Sequence, residues 1–214
     1  MRKLRTLAIV GALALVLAGC SDDDEESSTF VIQTLSDQQA DGDIGFNPLL
    51  PPDSQYTISQ ADSTGSVLFG IDLDGTEFRA FLDFPLDGSN GGGAVPLGAE
   101  ILSADIEVLV NNVQLAPQVQ TLLDLVSFPI TSGLRSEDFN SDPLATRTPF
   151  NFFPSDKDNF VQIDVTSLMA ETQRLGLPDL QLRFLDFIPE AAGLVELYDG
   201  DDPSGAPLLT VEYR

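Results

Sequence analysis

The sequence contains no histidine, no tryptophan and a single cysteine among its 214 residues. Without histidine, the chain cannot build a Ser-His-Asp or Cys-His catalytic site, or the usual histidine-containing zinc sites. A single cysteine cannot form an intramolecular disulfide, so packing must stabilise the fold. With no tryptophan and only three tyrosines, few flat platforms for a sugar ring are available.

Basic residues are scarce, with ten Lys and Arg against 34 Asp and Glu. Three of the ten, Arg2, Lys3 and Arg5, lie at the extreme N-terminus, and losing them would change the formal charge from −24 to −27. A chain this acidic is repelled by nucleic-acid phosphates and by anionic lipid headgroups. We therefore expect no nucleic-acid partner.

The first 20 residues combine this basic start with an apolar run over 7–17 and the ending Leu17-Ala18-Gly19-Cys20. The run is shorter than the roughly 20 apolar residues that span a bilayer. A basic start, a short apolar run and small residues are typical of a secretory signal peptide. An ordinary cleaved signal peptide with a chance cysteine remains the alternative.

The ending of this segment resembles the bacterial lipobox. The resemblance implies that residues 1–19 are removed and that Cys20 becomes a lipidated N-terminus. Two or more acyl chains make membrane anchoring stable. Ser21 directly after the cysteine resembles the outer-membrane class, so we expect a lipid-anchored protein of the cell envelope, on the periplasmic or the surface side.

Residues 20–29 are acidic and polar, which predicts a disordered tether, and residues 30–214 form one domain. Apolar residues alternate with polar ones in five segments of this domain, which predicts half-buried antiparallel strands. The segments cover 78–84, 102–110, 161–165, 180–184 and 209–214, with weaker strands predicted at 30–35, 67–72, 122–128 and 194–198. We expect an all-β, jelly-roll-like antiparallel β-sandwich.

One short helix is predicted after residue 165. Thr166 can cap it, Leu168, Met169 and Leu175 form its apolar stripe, and Gly176 can end it. The segments 41–64 and 132–159 contain several prolines and are expected to be long irregular loops.

Four segments in order resemble the DNRLRE family of extracellular domains. They are FRAFLDFPL at 78–86, VPLGAEILSADIEV at 95–108, VQIDVTSL at 161–168 and APLLTVEY at 206–213. The resemblance implies a secreted or surface-attached jelly-roll sandwich. Domains of this family often accompany carbohydrate-active enzymes, and some relatives bind polysaccharide.

Two candidate sites are indicated by the residues. Asp199, Asp201 and Asp202 surround Gly200 in a predicted turn, where converging carboxylates could hold a structural calcium ion. The alternative is a hairpin turn that is rich in Asp and Gly for backbone reasons alone. Tyr56 and the phenylalanines Phe150, Phe152 and Phe153 are the candidate ligand-binding aromatics, unless the phenylalanines fill one end of the sandwich.

No pair of carboxylates stands out as a catalytic pair, so the sequence predicts no enzyme activity. The predicted function is a non-catalytic envelope lipoprotein, a structural or protein-interaction module. The alternative is a polysaccharide-binding module. The expected partners are the membrane, through the lipid anchor, and an envelope protein or a polysaccharide.

Overall fold

The computed structural model describes residues 28–90, 92–188, 191–200 and 202–214. The predicted signal peptide, the predicted lipidation residue Cys20 and most of the predicted tether therefore lie outside the described residues, as does the metal candidate Asp201. Within the described part, no helix is long and apolar enough to cross a membrane.

The described residues form twelve strands and two α-helices. The strands are β1 Phe30–Leu35, β2 Gly42–Phe46, β3 Tyr56–Gln60, β4 Ser66–Ile71, β5 Glu77–Pro85, β6 Ile101–Gln114, β7 Val119–Leu125, β8 Ala145–Phe152, β9 Phe160–Asp164, β10 Asp179–Asp186, β11 Gly193–Tyr198 and β12 Leu208–Tyr213. The helices are α1 Ala61–Thr64 and α2 Thr166–Leu175, and short 3₁₀ turns occur at Pro52–Ser54, Ser136–Asn140 and Pro154–Asp156.

The strands form one curled antiparallel sheet that closes over a single main core. Neighbouring strands run in the order β1-β12-β6-β11-β4-β5-β10-β7-β8, while β9 adds to β6, β2 adds to β5 and β3 adds to β2. The long strand β6 changes partners along its length: residues 101–109 pair with β12 and β9, and Val110–Gln114 pair with β11. This arrangement confirms the predicted all-β, sandwich-like fold.

Period-two alternation places one face of most strands in the main core. On β5, Ala80, Leu82 and Phe84 are fully buried there. The intervening Phe81 is buried as well, because the opposite face of this strand carries a second hydrophobic cluster. We call this second group the outer cluster; its members are Ile44, Phe81, Val126, Phe128, Leu134 and Phe139.

The alternation of β6 breaks at its start, where Leu102 was expected to face the core. A register shift between Glu212 and Tyr213 of β12 pairs those residues with Ser103 and Ile101. The extra residue in β6 is Leu102, which is 38% exposed, whereas Ile101 packs against the main core. A β-bulge of this kind reverses the side-chain parity locally, so the expectation for Leu102 was wrong.

The predicted helix α2 is present, and Gly176 ends it in the left-handed conformation, with φ of 66°. Its start differs from the prediction, because Thr166 is the first helical residue rather than the cap. The backbone N–H of Thr166 donates to Asp164 Oδ1 at 2.8 Å, while its hydroxyl contacts the backbone of Ala104. Leu168 and Met169 are buried as expected, but Leu175 is 39% exposed.

Three strands lie in the two segments that were expected to be irregular. Strands β2 and β3 form a hairpin within 41–64, and β8 pairs with β7 within 132–159. Some of the glycines and prolines lie within these strands, with Gly42 and Gly45 in β2 and Pro149 in β8. The β2–β3 hairpin begins directly after the buried Asp41 and carries Tyr56 on its second strand.

Candidate functional site

Asp199 follows β11 and is fully buried beside a second fully buried aspartate, Asp41, which precedes β2. The two carboxyl groups are close enough for the charge of Asp199 to raise the pKa of Asp41, and Asp199 Oδ1 accepts from the Ser36 hydroxyl at 3.4 Å. The fold therefore brings together a carboxylate pair from two distant parts of the chain. We call Asp41 and Asp199 the buried carboxylate pair.

Most polar atoms of this pair have protein partners. The backbone N–H of Asp41 donates to the Asp37 carbonyl at 2.9 Å, its own carbonyl accepts from Ala61 N–H at 3.1 Å, and its Oδ1 accepts from Asp83 N–H at 2.6 Å. Asp199 N–H donates to the Gly65 carbonyl at 3.0 Å. One oxygen of Asp41, Oδ2, has no hydrogen-bond partner in the protein.

Asp199 likewise has protein partners for most of its polar atoms but not for one carboxylate oxygen. Its carbonyl accepts from Gln38 Nε2 at 2.7 Å, and its Oδ1 accepts from the Ser36 hydroxyl at 3.4 Å. Its Oδ2 is buried without a partner. Each member of the pair thus keeps one carboxylate oxygen that no described protein group satisfies. Native proteins rarely leave buried polar atoms unsatisfied, so these two oxygens require an explanation.

The electrostatic environment of the pair is unfavourable for two negative charges. Burial raises the pKa of Asp41 well above its usual value, and the neighbouring Asp199 raises it further. Burial raises the pKa of Asp199 to about 6, and the hydrogen bond from the Ser36 hydroxyl opposes this increase. The pair therefore favours either a shared proton or a bound cation.

The other predicted calcium ligands do not join Asp199. Asp202 is exposed, and its Oδ1 accepts from Ser204 N–H at 3.0 Å, which stabilises its own turn. Asp201 is outside the described residues. Within the described ranges, no group of three or more His, Cys, Asp or Glu side chains is arranged to hold a metal ion. Of the predicted set, only Asp199 lies at the buried pair.

The buried carboxylate pair does not have the geometry of a glycosidase. Those enzymes hold their two carboxyl groups about 5–9.5 Å apart around the substrate. Here both residues are fully buried, so neither has an exposed surface from which to reach a substrate.

The predicted aromatic ligand-binding residues separate into two places. Phe150 and Phe152 lie on one face of β8 with ring centroids 5.5 Å apart; Phe152 is fully buried, and Phe150 packs against the main core. Phe152 is therefore a core residue and cannot serve as a platform. Phe153, just after β8, is 40% exposed.

Tyr56 lies on strand β3 rather than in a loop, and its ring is partly exposed. It packs against Phe46 on β2 at 4.9 Å between ring centroids, and against Phe139 at 5.8 Å. The guanidinium carbon of Arg79 lies 3.9 Å from the centroid of the Phe139 ring, and Arg79 Nη1 donates to the Phe139 carbonyl. Tyr56 thus forms the exposed rim of the outer cluster.

Sequence reasoning did not identify Asp41 as part of the buried carboxylate pair. It also did not identify Phe46, Phe139 and Arg79 as parts of the outer cluster and its contacts. Asp41 lies in the run Asp37-Gln38-Gln39-Ala40-Asp41-Gly42-Asp43, where several aspartates near a predicted strand gave a weak signal. Phe46 follows an alternating pattern with Ile44 that is only two residues long. Phe139 is brought to Tyr56 and to Arg79 of β5 by the folding of the 126–141 segment, which no local pattern indicates.

No protein-family model matches the chain, and no curated protein matches it at a significant level.

Proposed function

We propose that this chain is a non-catalytic contact module of the bacterial cell envelope, held there by lipidation of Cys20. The observation that supports the contact role is an exposed apolar surface on the β2–β3 hairpin. Leu49 and Leu50 at its tip are 84% and 44% exposed, and Tyr56 and Ile58 on β3 are 36% and 42% exposed. We call these four residues the hairpin surface.

The position of the hairpin supports an interaction role in two further ways. Among the described strands, β3 pairs with β2 alone, so its other edge offers backbone N–H and C=O groups to a partner. The outer cluster supports Tyr56 from below through Phe46 and Phe139. A rigid, exposed apolar surface next to a strand edge is typical of a protein-binding site.

The charge of the chain limits the partner's chemistry. The acidic residues outnumber the basic ones more than three to one, so a strongly acidic partner would be repelled. The proposed partner is an envelope protein with an apolar patch and a neutral or basic surround. The tether leads into β1, which begins at Phe30. Its residues 21–29 would let the domain reach at most about 30 Å from the membrane.

A photo-crosslinking residue placed at Ile58 tests this contact in living cells. The matched control is the same residue at Leu175, an equally exposed apolar position at the end of α2. We expect a discrete crosslinked protein from position 58 and none of that product from position 175. Identical products from both positions, or no product from position 58, would contradict the proposal.

Polysaccharide binding is the second candidate, and the partly exposed ring of Tyr56 at the rim of the outer cluster favours it. An exposed aromatic face suits a sugar ring. A glycan array probed with the wild type and with Tyr56→Ala distinguishes the two. Glycan binding that disappears in Tyr56→Ala would favour this candidate, and its absence would favour the protein-contact role.

A further inference from the structure

We propose that the buried carboxylate pair, Asp41 and Asp199, is the binding site of one calcium ion. Two fully buried carboxylates from distant parts of the chain meet, and each keeps one oxygen, Oδ2, without a protein partner. The remaining described hydrogen-bonding atoms of both residues are engaged by the protein. The two free oxygens are therefore the atoms that a ligand would satisfy.

The charge of the pair calls for compensation that the described protein does not provide. Arginines that form ion pairs do so elsewhere: Arg79 with Glu77, Arg135 with Glu137, Arg174 with Glu171, Arg183 with Asp124 and Arg214 with Glu100. Within the described residues, no ion pair involves Asp41 or Asp199. Because a buried uncompensated charge is very costly, the pair must hold a proton or a cation.

The available donors are all oxygens, which favours a hard cation. The Ser36 hydroxyl donates to Asp199 Oδ1 at 3.4 Å, and a surface cavity of about 200 Å³ is lined by Ser36, Gln38 and Asp199, among others. Calcium takes six to eight oxygen ligands in irregular geometry and accepts waters among them. The cavity brings solvent to the Asp199 side of the pair. No nitrogen or sulfur ligand of the kind that selects zinc or copper is indicated here.

A calcium ion at this position would join two parts of the chain. Ser36 and Asp41 belong to the connection between β1 and β2, and Asp199 begins the connection between β11 and β12. The ion would therefore fix the segment that follows the first strand. With only two carboxylates, we expect weak binding, with a Kd of about 10⁻⁴–10⁻³ M.

Thermal unfolding of the purified protein at pH 8, in EDTA and in about 10 mM calcium chloride, tests the proposal. For the wild type we expect calcium to raise Tm by about 3–10 °C. Asp199→Asn should lose this response. In EDTA it should be at least as stable as the wild type, because the like-charge contact is removed. A residue that was merely structural would be destabilised by the change in both conditions.

Asp202→Asn is the matched control, since this exposed aspartate lies three residues away and outside the pair; it should respond to calcium like the wild type. If Asp199→Asn does not fold, calorimetric titration of the wild type decides the question, with one calcium site expected at pH 8 and weaker binding at pH 5. No calcium binding and no Tm change in the wild type would overturn the proposal and show that the pair shares a proton only.

Discussion

Arg183 on β10 lies directly opposite Asp124 on β7, and its Nη2 is 2.7 Å from Asp124 Oδ2. Both side chains are almost completely buried. The other terminal nitrogen of Arg183 donates to the carbonyls of Asp138, Phe139 and Ser141 at 2.9–3.3 Å. One ion pair therefore fixes the segment that carries Phe139 onto the sheet, and through Phe139 it supports Tyr56 at the hairpin surface.

Removal of one partner of this ion pair should strongly destabilise the protein. Asp124→Ala leaves the buried guanidinium without its counter-charge, and breaking a buried pair in this way costs about 3–5 kcal/mol. We expect a correspondingly lower midpoint in urea unfolding. Glu100→Gln is the control, since it removes the exposed ion pair with Arg214 and should leave the midpoint unchanged. Equal effects of the two substitutions would show that the buried pair has no special role.

The orientation of β6 gives a second prediction. Ile106 is fully buried in the main core, whereas Leu102 is turned towards solvent by the β-bulge. Ile106→Asp should unfold the domain, because it buries an unpaired charge. Leu102→Asp, the same change on the same strand, should leave Tm within a few degrees of the wild type. Circular dichroism melting curves measure both, and a large loss of Tm in Leu102→Asp would contradict the assigned bulge.

The sequence predicts the strands of this fold better than it predicts their irregularities. Alternation locates β5, β6, β9, β10 and β12 because each buries one face in the main core. It fails at Phe81, where both faces of β5 are covered, and at Leu102, where one extra residue reverses the parity. It also fails for β2 and β8, because Gly42 and Gly45 within β2 and Pro149 within β8 interrupt their apolar pattern. In each case a long-range contact overrides the local signal.

The candidate sites are less predictable for the same reason. Asp199 could be singled out from its Asp-Gly surroundings, but its partner Asp41 lies at the other end of the chain and only the fold joins them. Asp202 has the same local signal as Asp199, yet its carboxylate stabilises its own turn. Local composition identifies acidic turns. It does not distinguish an aspartate that satisfies a backbone N–H from one whose oxygen stays without a partner.

The proposed lipidation of Cys20 gives a prediction that does not depend on the domain. Because such a lipid would be attached through the cysteine thiol, Cys20→Ser should release the protein from membranes into the soluble fraction. Fractionation of cells followed by immunoblotting measures this. Ser21→Ala is the control, since it keeps the thiol and should stay with the membrane. Pelleting of Cys20→Ser with membranes after a high-salt wash would contradict the assignment.

The dependence of stability on pH gives the last prediction. Burial raises the pKa of Asp43 and of Asp83 to about 7, and that of Asp199 to about 6, against about 3.9 in an unfolded chain. Between about pH 4 and pH 7, the folded protein therefore binds more protons at these groups than the unfolded chain does. Stability from these groups is therefore fully present below about pH 4 and is lost as pH rises through 6 to 7. In EDTA, Tm should rise as pH falls from 8 to 5.

A general decrease in negative charge would also raise Tm at lower pH, so one group must be tested alone. Asp83→Asn suits this purpose, because Asp83 Oδ1 accepts from Gln181 Nε2 at 2.9 Å and an amide oxygen can do the same. The variant should be more stable than the wild type at pH 8, where Asp83 is charged, and should lose that advantage at pH 5. A variant that is less stable than the wild type by the same amount at both pH values would show that the Asp83 carboxylate is not the titrating group.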